Sequence, residues 1–242
     1  MAFKIKLRKP DNSKTEKKYN SADAISEKSR FAIVESYKSA RSNIMFSLSA
    51  EDQKVFAVTS YAKGEGKSTV SANLAISFSK MERKVLLIDC DLRRPNLHNI
   101  FKVENSVGLS NIIGKMAEFN DAVKHNVLPN LDILPSGTIP PNPSELLCSP
   151  GFEKLINSVI NEYDYIIFDT PPIGVVADAL LLKDRVAGYV LVLRERSTTH
   201  GDIQKMLESI KLADTKILGF IKVGCTQNKK RAGRGYYYYQ YY

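Results

Sequence analysis

The chain contains no tryptophan, and of its 242 residues only three are cysteine and three histidine. Cys90, Cys148 and Cys225 are odd in number and lack Cys-x-x-Cys spacing, while His98, His125 and His200 are scattered. That count and spacing supports neither a disulfide framework nor a zinc site, and a reducing cytoplasm is the simplest setting. Long apolar runs are missing too: nowhere do the roughly 18 apolar residues of a membrane-spanning helix follow one another. The opening MAFKIKLRKPDNSKTEKK is basic and polar, without the apolar stretch of a secretory signal. Acidic residues are in deficit, 26 Asp+Glu against 35 Lys+Arg, so the formal net charge is +9. That balance suits an anionic partner without choosing among nucleotide, nucleic acid and membrane surface.

What is present is an ordinary globular balance, 43% hydrophobic and 25% charged, on a chain long enough for one α/β domain with a full core. Residues 1–28 are polar and rich in Lys, Ser and Asn, and read as a flexible basic arm. Over 29–48 the apolar residues Ile33, Tyr37, Ala40, Ile44 and Leu48 recur at helical spacing, and Glu35, Lys38 and Arg41 share a face beside that stripe. A βαβ rhythm follows. KVFAVTS (54–60), KVLLID (84–89), LDILPSG (131–137), YDYIIFD (163–169), AGYVLVL (187–193) and KILGFIKV (216–223) read as strands, the third running into a turn. Helices are expected over 68–81, near 150–161 and near 199–212, with short helices and loops over 92–130. Apolar strands alternating with helices predict an α/β fold of the P-loop NTPase type, a mostly parallel sheet covered on both faces. The compact domain is expected to end at about residue 225. Residues 226–242, QNKKRAGRG then YYYYQYY, show no periodicity and read as a disordered tail.

Strand, then Gly64-Glu65-Gly66-Lys67-Ser68-Thr69, then helix is the context of a phosphate-binding Walker A loop. Small residues let backbone N–H groups wrap phosphates, and the helix N-terminus adds partial positive charge. Lys67 is expected to reach the β- and γ-phosphates and Ser68 to give its hydroxyl to Mg²⁺. The usual first glycine is replaced by Tyr61. Asp89 and Asp91 close the second apolar strand, where alternation sends both to one side at the carboxyl end of the sheet. Adjacent carboxylates repel unless a cation sits between them, and Mg²⁺ is the natural one. Asp169 closes another apolar strand in the Walker B manner and is expected to bind Mg²⁺ directly or through water. Arg93 and Arg94 either meet phosphate or are solvated. Asp178 either belongs to a switch-like segment or sits near a helix N-cap.

GEGKST, VLLIDCDLRRP and YDYIIFDTPP resemble the Walker A, Asp-x-Asp Walker A′ and Walker B motifs of bacterial tyrosine kinases, the cytoplasmic kinases of capsule and exopolysaccharide synthesis. The resemblance runs from about residue 30 to 242 and includes PPNPSELL (140–147). ESYKSAR (35–41) is similar to the family's Glu-x-x-Arg-x-x-Arg oligomerisation segment, with Lys38 in place of arginine and so without bidentate pairing there. In FIKVGC (220–225) the asparagine often found near the end of the family's last strand is absent. The resemblance implies ATP and Mg²⁺ as cofactors. Ser68 and Asp91 are expected on the metal with Asp169 acting through water, and Asp89 is expected to accept the proton of the attacking tyrosine, the exchange of roles between Asp89 and Asp91 being the alternative. It implies a ring-like homo-oligomer built through Glu35, Lys38 and Arg41. It also implies phosphorylation in trans of Tyr236, Tyr237, Tyr238, Tyr239, Tyr241 and Tyr242. Partners implied are a separate transmembrane adaptor that recruits the chain to the inner face of the membrane, protein-tyrosine substrates and a cognate phosphatase, with no specific nucleic acid. Two other readings share the fold: a partition or septum-positioning switch ATPase that binds DNA or membrane, and a non-enzymatic nucleotide-sensing scaffold. Lys63 lies four residues before Lys67, one short of the signature lysine of partition ATPases, which speaks against the first.

Overall fold

The computed structural model describes the backbone of residues 4–8 and residues 31–48 and 54–225 in full. Its strands are β1 (Lys4–Arg8), β2 (Val55–Ser60), β3 (Val85–Asp89), β4 (Lys124–Leu128), β5 (Leu131–Leu134), β6 (Tyr165–Asp169), β7 (Tyr189–Arg194) and β8 (Ile217–Cys225). They form one sheet in the order β1-β8-β7-β2-β6-β3-β5-β4. Neighbours run parallel throughout except β4, which pairs antiparallel with β5. The helices are α1 (Phe31–Ser47), α2 (Lys67–Ser79), α3 (Leu97–Phe101), α4 (Leu109–Ile113), α5 (Phe119–Ala122), α6 (Pro143–Leu147), α7 (Pro150–Val159) and α8 (His200–Leu212), with a 3-10 segment over Ala177–Arg185.

The central strands are buried along their length because both faces are covered. Alternation sorts their side chains into two cores. Phe56, Val58, Leu87, Ile167 and Val190 pack with Tyr37, Ala40 and Ile44 of α1 and with Leu74 and Phe78 of α2. Ala57, Leu86, Ile88, Phe168 and Leu191 pack with Phe152 and Ile156 of α7 and Met206 and Ile210 of α8. The parity has a consequence for charge. Asp89 stands two residues beyond Leu87, and Asp169 two beyond Ile167, so both carboxylates emerge on the α2 side. The register sets them directly opposite each other on adjacent strands.

Two elements depart from the sequence expectation. Lys4–Arg8 was expected within a flexible arm but forms a strand parallel to β8. The Lys-Ile-Lys-Leu-Arg alternation has strand period, and without it β8 would be the open edge of the sheet. The rest of the expected arm lies outside the described residues. The second is β4, an exposed polar edge strand whose KHNVL sequence carries little apolar signal. It is folded back on β5 through Asn130, which adopts φ 61°.

Candidate functional site

The loop between β2 and α2 builds a cavity at the carboxyl end of the sheet. Gly64 and Gly66 adopt φ of 76° and 91°, left-handed values that favour glycine, and so turn the chain into the helix. Gly66 is the N-cap of α2 and brings no capping side chain, so the first amides of the helix face the cavity. Glu65 points the other way. It is buried, accepts from the Ala62 amide at 2.9 Å, and is hydrogen-bonded by the Thr198 hydroxyl. Arg194 donates to the Gly64 carbonyl at 2.7 Å. The loop is thereby clamped to the turn after β7, a contact the sequence did not announce. Tyr61 stands where the usual pattern has glycine, and its ring lies over Gly174, where a Cβ would come within 2.7 Å of it.

The cavity measures about 630 Å³, a size suited to a nucleotide, and is lined by Lys67, Ser68 and Thr69, by Asp91 and Arg93–Asn96, and by Pro171, Pro172, Val175 and Val176. Lys67 sits at its floor with Nζ 2.8 Å from Asp91 Oδ2 and 3.7 Å from Asp169 Oδ2. Burial alone would lower its pKa, but Asp169 and Asp91 outweigh that and raise it, so the ammonium stays charged. Asp169 is fully buried. Its Oδ1 accepts from Ser71 Oγ at 3.0 Å, whereas Oδ2 is buried with no hydrogen-bond partner. Burial raises its pKa. Asp89 is also fully buried, one layer below the cavity wall. Its oxygens accept from the amides of Asp91 at 3.2 Å and of Asn96 and Leu97 at 3.0 Å. Burial first, then the Asp169 charge, pushes its pKa up to about 7. Asp91 accepts from the Arg94 amide at 3.0 Å.

Three carboxylates thus face one lysine in a buried space, with one Asp169 oxygen reached by no hydrogen bond and held only by the Lys67 ammonium at 3.7 Å. That imbalance fits a divalent cation arriving with a phosphate ligand. Among the described residues no three side chains form a ready-made metal cage. A magnesium held by Ser68, one carboxylate, water and nucleotide phosphates needs none.

The remaining candidates fall elsewhere. Arg93 neither points at the cavity centre nor hangs in solvent: its guanidinium forks onto Asp178 at 2.7 and 3.3 Å and donates to Ser144 Oγ at 3.0 Å. Asp178 opens the 3-10 segment and is buried, so it caps no α-helix. On α1, Glu35 and Lys38 pair at 2.8 Å on the exposed surface. Arg41 turns inward and donates to the Ser77 carbonyl of α2. The three do share one side of α1, and none of them lines the cavity. The six tail tyrosines lie outside the described residues.

Comparison with known proteins agrees with this geometry. A family model described as an AAA domain matches residues 53–222. The tyrosine-protein kinase YwqD of Bacillus subtilis is 42% identical over 203 residues, 84% of this chain and 85% of that one. The tyrosine-protein kinase CpsD of Streptococcus agalactiae is 38% identical over 188 residues, covering 77% of this chain and 81% of its own. The kinase domain of the Escherichia coli tyrosine kinase ETK superposes with a TM-score of 0.82 at 28% identity, over 97% of this chain and 93% of that structure. Among the described residues no helix is long and apolar enough to cross a membrane. With a phosphate loop, an Asp-x-Asp pair and a strand-end aspartate gathered around one lysine, and with relatives of this likeness over most of its length, the chain belongs to the bacterial tyrosine-protein kinases.

Proposed function

We propose that this protein transfers the γ-phosphoryl group of ATP to tyrosines of its own C-terminal cluster, Tyr236 to Tyr239, Tyr241 and Tyr242, in a neighbouring copy. The observation that carries the reading is the buried group of Lys67, Asp89, Asp91 and Asp169 beneath the phosphate loop, in a chain that ends in six tyrosines among seven residues. The amides of residues 64–69 and Lys67 bind the phosphates. When nucleotide enters, Lys67 exchanges its contact with Asp91 for one with phosphate, which frees that carboxylate. Ser68 and Asp91 would then hold Mg²⁺, with Asp169 acting through water. The metal supplies charge neutralisation on the phosphate oxygens.

Asp89 accepts the proton. A carboxylate with a pKa near 7 is matched to that task at neutral pH. Because Asp89 lies behind the cavity wall, the proton of the tyrosine O–H passes to it through one water; the phenolic oxygen forms a bond to the γ-phosphorus, and ADP leaves with the electrons of the broken P–O bond. Asp91 lines the cavity and Asp89 lies behind it, so the two are separable by substitution. Asp89→Asn is expected to lose turnover while keeping nucleotide affinity. Near-normal turnover in that variant would move the base role to Asp91.

Assembly through the α1 face of Glu35, Lys38 and Arg41 would bring tails to neighbouring cavities and raise their local concentration. Each phosphate adds about −1.5 to −2 charge, so a phosphorylated tail cluster repels its neighbours and opens the ring. By the same motif resemblance the protein acts in capsular or exopolysaccharide synthesis or export, held at the inner membrane face by a separate transmembrane adaptor and reset by a phosphatase. Intact mass after incubation with ATP and Mg²⁺ tests the reaction. Added phosphates in the wild type and none in Lys67→Met support it. ATP bound or hydrolysed without phosphotyrosine, with an activator fragment present, overturns it in favour of a switch ATPase or scaffold.

A further inference from the structure

The aspartates of the site do not hold themselves in place. Asp91 is oriented by the amide of Arg94, and Asp89 by the amides of Asp91, Asn96 and Leu97. The orientation of both carboxylates is therefore set by the backbone of the 91–97 loop. Arg93 ties that loop across to the opposite side of the cavity. Its guanidinium takes both oxygens of Asp178, and Ser144 Oγ closes the triangle, donating to Asp178 Oδ1 at 2.7 Å and accepting from Arg93 at 3.0 Å. The three residues come from three separate segments: the loop after β3, the start of α6, and the 3-10 segment that follows β6. The loop after β3 carries Asp91. The chain leaving Asp169 supplies Pro171, Pro172, Val175 and Val176 to the cavity and then reaches Asp178 within a few residues.

Asp178 is 2% exposed, so it is not a surface ornament, and its bidentate pairing with a planar guanidinium fixes direction as well as distance. Arg93 is half-exposed, so the pair sits at the rim where cavity meets solvent. The clasp also accounts for two sequence features that the phosphate site leaves unused: Asp178 in GVVADA, and Ser144 in PPNPSELL.

We propose that Asp178 and Ser144 are positioning residues of the phosphotransfer centre, which act by holding Arg93 and thereby the loop whose amides orient Asp89 and Asp91. Neither touches substrate. This inference rests on the kinase reading above, and its test has one arm that does not.

The test compares wild-type full chain with Asp178→Asn, Arg93→Gln and the double variant. Arg93→Gln serves as the second single variant because its half-exposed side chain can be replaced without opening the core. In nucleotide-free protein, amide hydrogen exchange over 92–97 is expected to quicken in each variant by about tenfold, as a locally released loop does. With ATP and Mg²⁺, the maximal rate of tail phosphorylation is expected to fall about 10- to 100-fold, the usual effect of removing a residue that orients a ligand or catalytic group. In Asp178→Asn, which leaves the cavity lining intact, the ATP concentration giving half-maximal rate is expected to shift by less than about threefold, because the lost interaction acts on the transition state and not on nucleotide binding. The double variant should be no slower than either single one, since the two residues act as a unit. Unchanged exchange over 92–97 in both single variants, or losses that multiply in the double, would overturn the proposal. Absence of phosphotyrosine in the wild type would sink the kinase reading instead, and the exchange result would still decide whether the clasp holds the loop.

Discussion

The two ends of the sheet both bury carboxylates, and the surroundings are opposite in kind. At the amino end Asp132 is buried and fully answered. It accepts from the Asn126 amide at 2.8 Å and from the Tyr163 hydroxyl at 2.7 Å, and His125 Nδ1 stands 2.8 Å away. Burial alone would raise its pKa, but those three partners outweigh it and hold the carboxyl below the usual range. At the carboxyl end, the pKa values of Asp89 and Asp169 are raised, one Asp169 oxygen has no hydrogen bond, and three acids share one lysine. A cluster whose hydrogen bonds are complete holds a hairpin in place. A cluster left short of positive charge is arranged for something that arrives later. The difference separates architecture from site without reference to any relative.

The comparison can be broken at its strongest point first. Lys67→Met removes the lysine that the three buried carboxylates share and the direct phosphate ligand. Tail phosphorylation should drop by at least about 10²- to 10³-fold, as for loss of a key charge-stabilising group, read as phosphate additions by intact mass. Next, the isosteric pair Asp169→Asn and Asp132→Asn should behave oppositely. Asp132→Asn leaves the Asn126, Tyr163 and His125 interactions weakened and should cost about 1–3 kcal/mol of stability, with turnover per folded molecule unchanged. Asp169→Asn relieves like-charge crowding and should leave the nucleotide-free melting temperature unchanged or higher, while turnover collapses. A loss of stability in Asp169→Asn as large as in Asp132→Asn would erase the distinction.

A subtler effect concerns acid. Because the folded pKa of Asp132 is depressed, its contribution is fully present above the unfolded carboxylate value of about 3.9 and is lost as pH falls below it. Denaturant midpoints between pH 6 and pH 3 should therefore decline less steeply in Asp132→Asn than in the wild type. The smallest effect belongs to Arg83 and Asp164, an exposed pair at 3.2 Å near the amino end. Arg83→Ala should change stability by less than about 1 kcal/mol.

Much of this was legible in the residues. The apolar strands and the Gly-Glu-Gly-Lys-Ser-Thr loop announce the parallel sheet and the phosphate cradle, because continuous apolar runs are found where both faces are covered. The gathering of Lys67, Asp91 and Asp169 follows from where three strand ends must lie, and the structure places the two carboxylates within 4 Å of the Lys67 nitrogen. What was not legible depends on contacts distant in sequence. Arg93 meets Asp178 across 85 positions, and Glu65 meets Thr198 across 133. No periodicity encodes such pairs. The strand at Lys4–Arg8 was hidden for another reason: its charged residues dominate the composition of the arm, and only the two-residue alternation betrays it. Arg41 was grouped with Glu35 and Lys38 by helical phase, which sets direction around α1 but not whether a long side chain folds back onto α2.

The most direct test of the central claim mixes two defective chains. Lys67→Met carries an intact tail without a working site, and a chain truncated after Gly235 carries the site without tyrosines 236–242. With ATP and Mg²⁺, neither alone should gain phosphate on the tail. Mixed, the Lys67→Met chain should acquire several phosphates on tyrosine. A mixture in which the Lys67→Met chain stays unmodified, under conditions where the wild type is modified, would contradict transfer to a neighbour's tail.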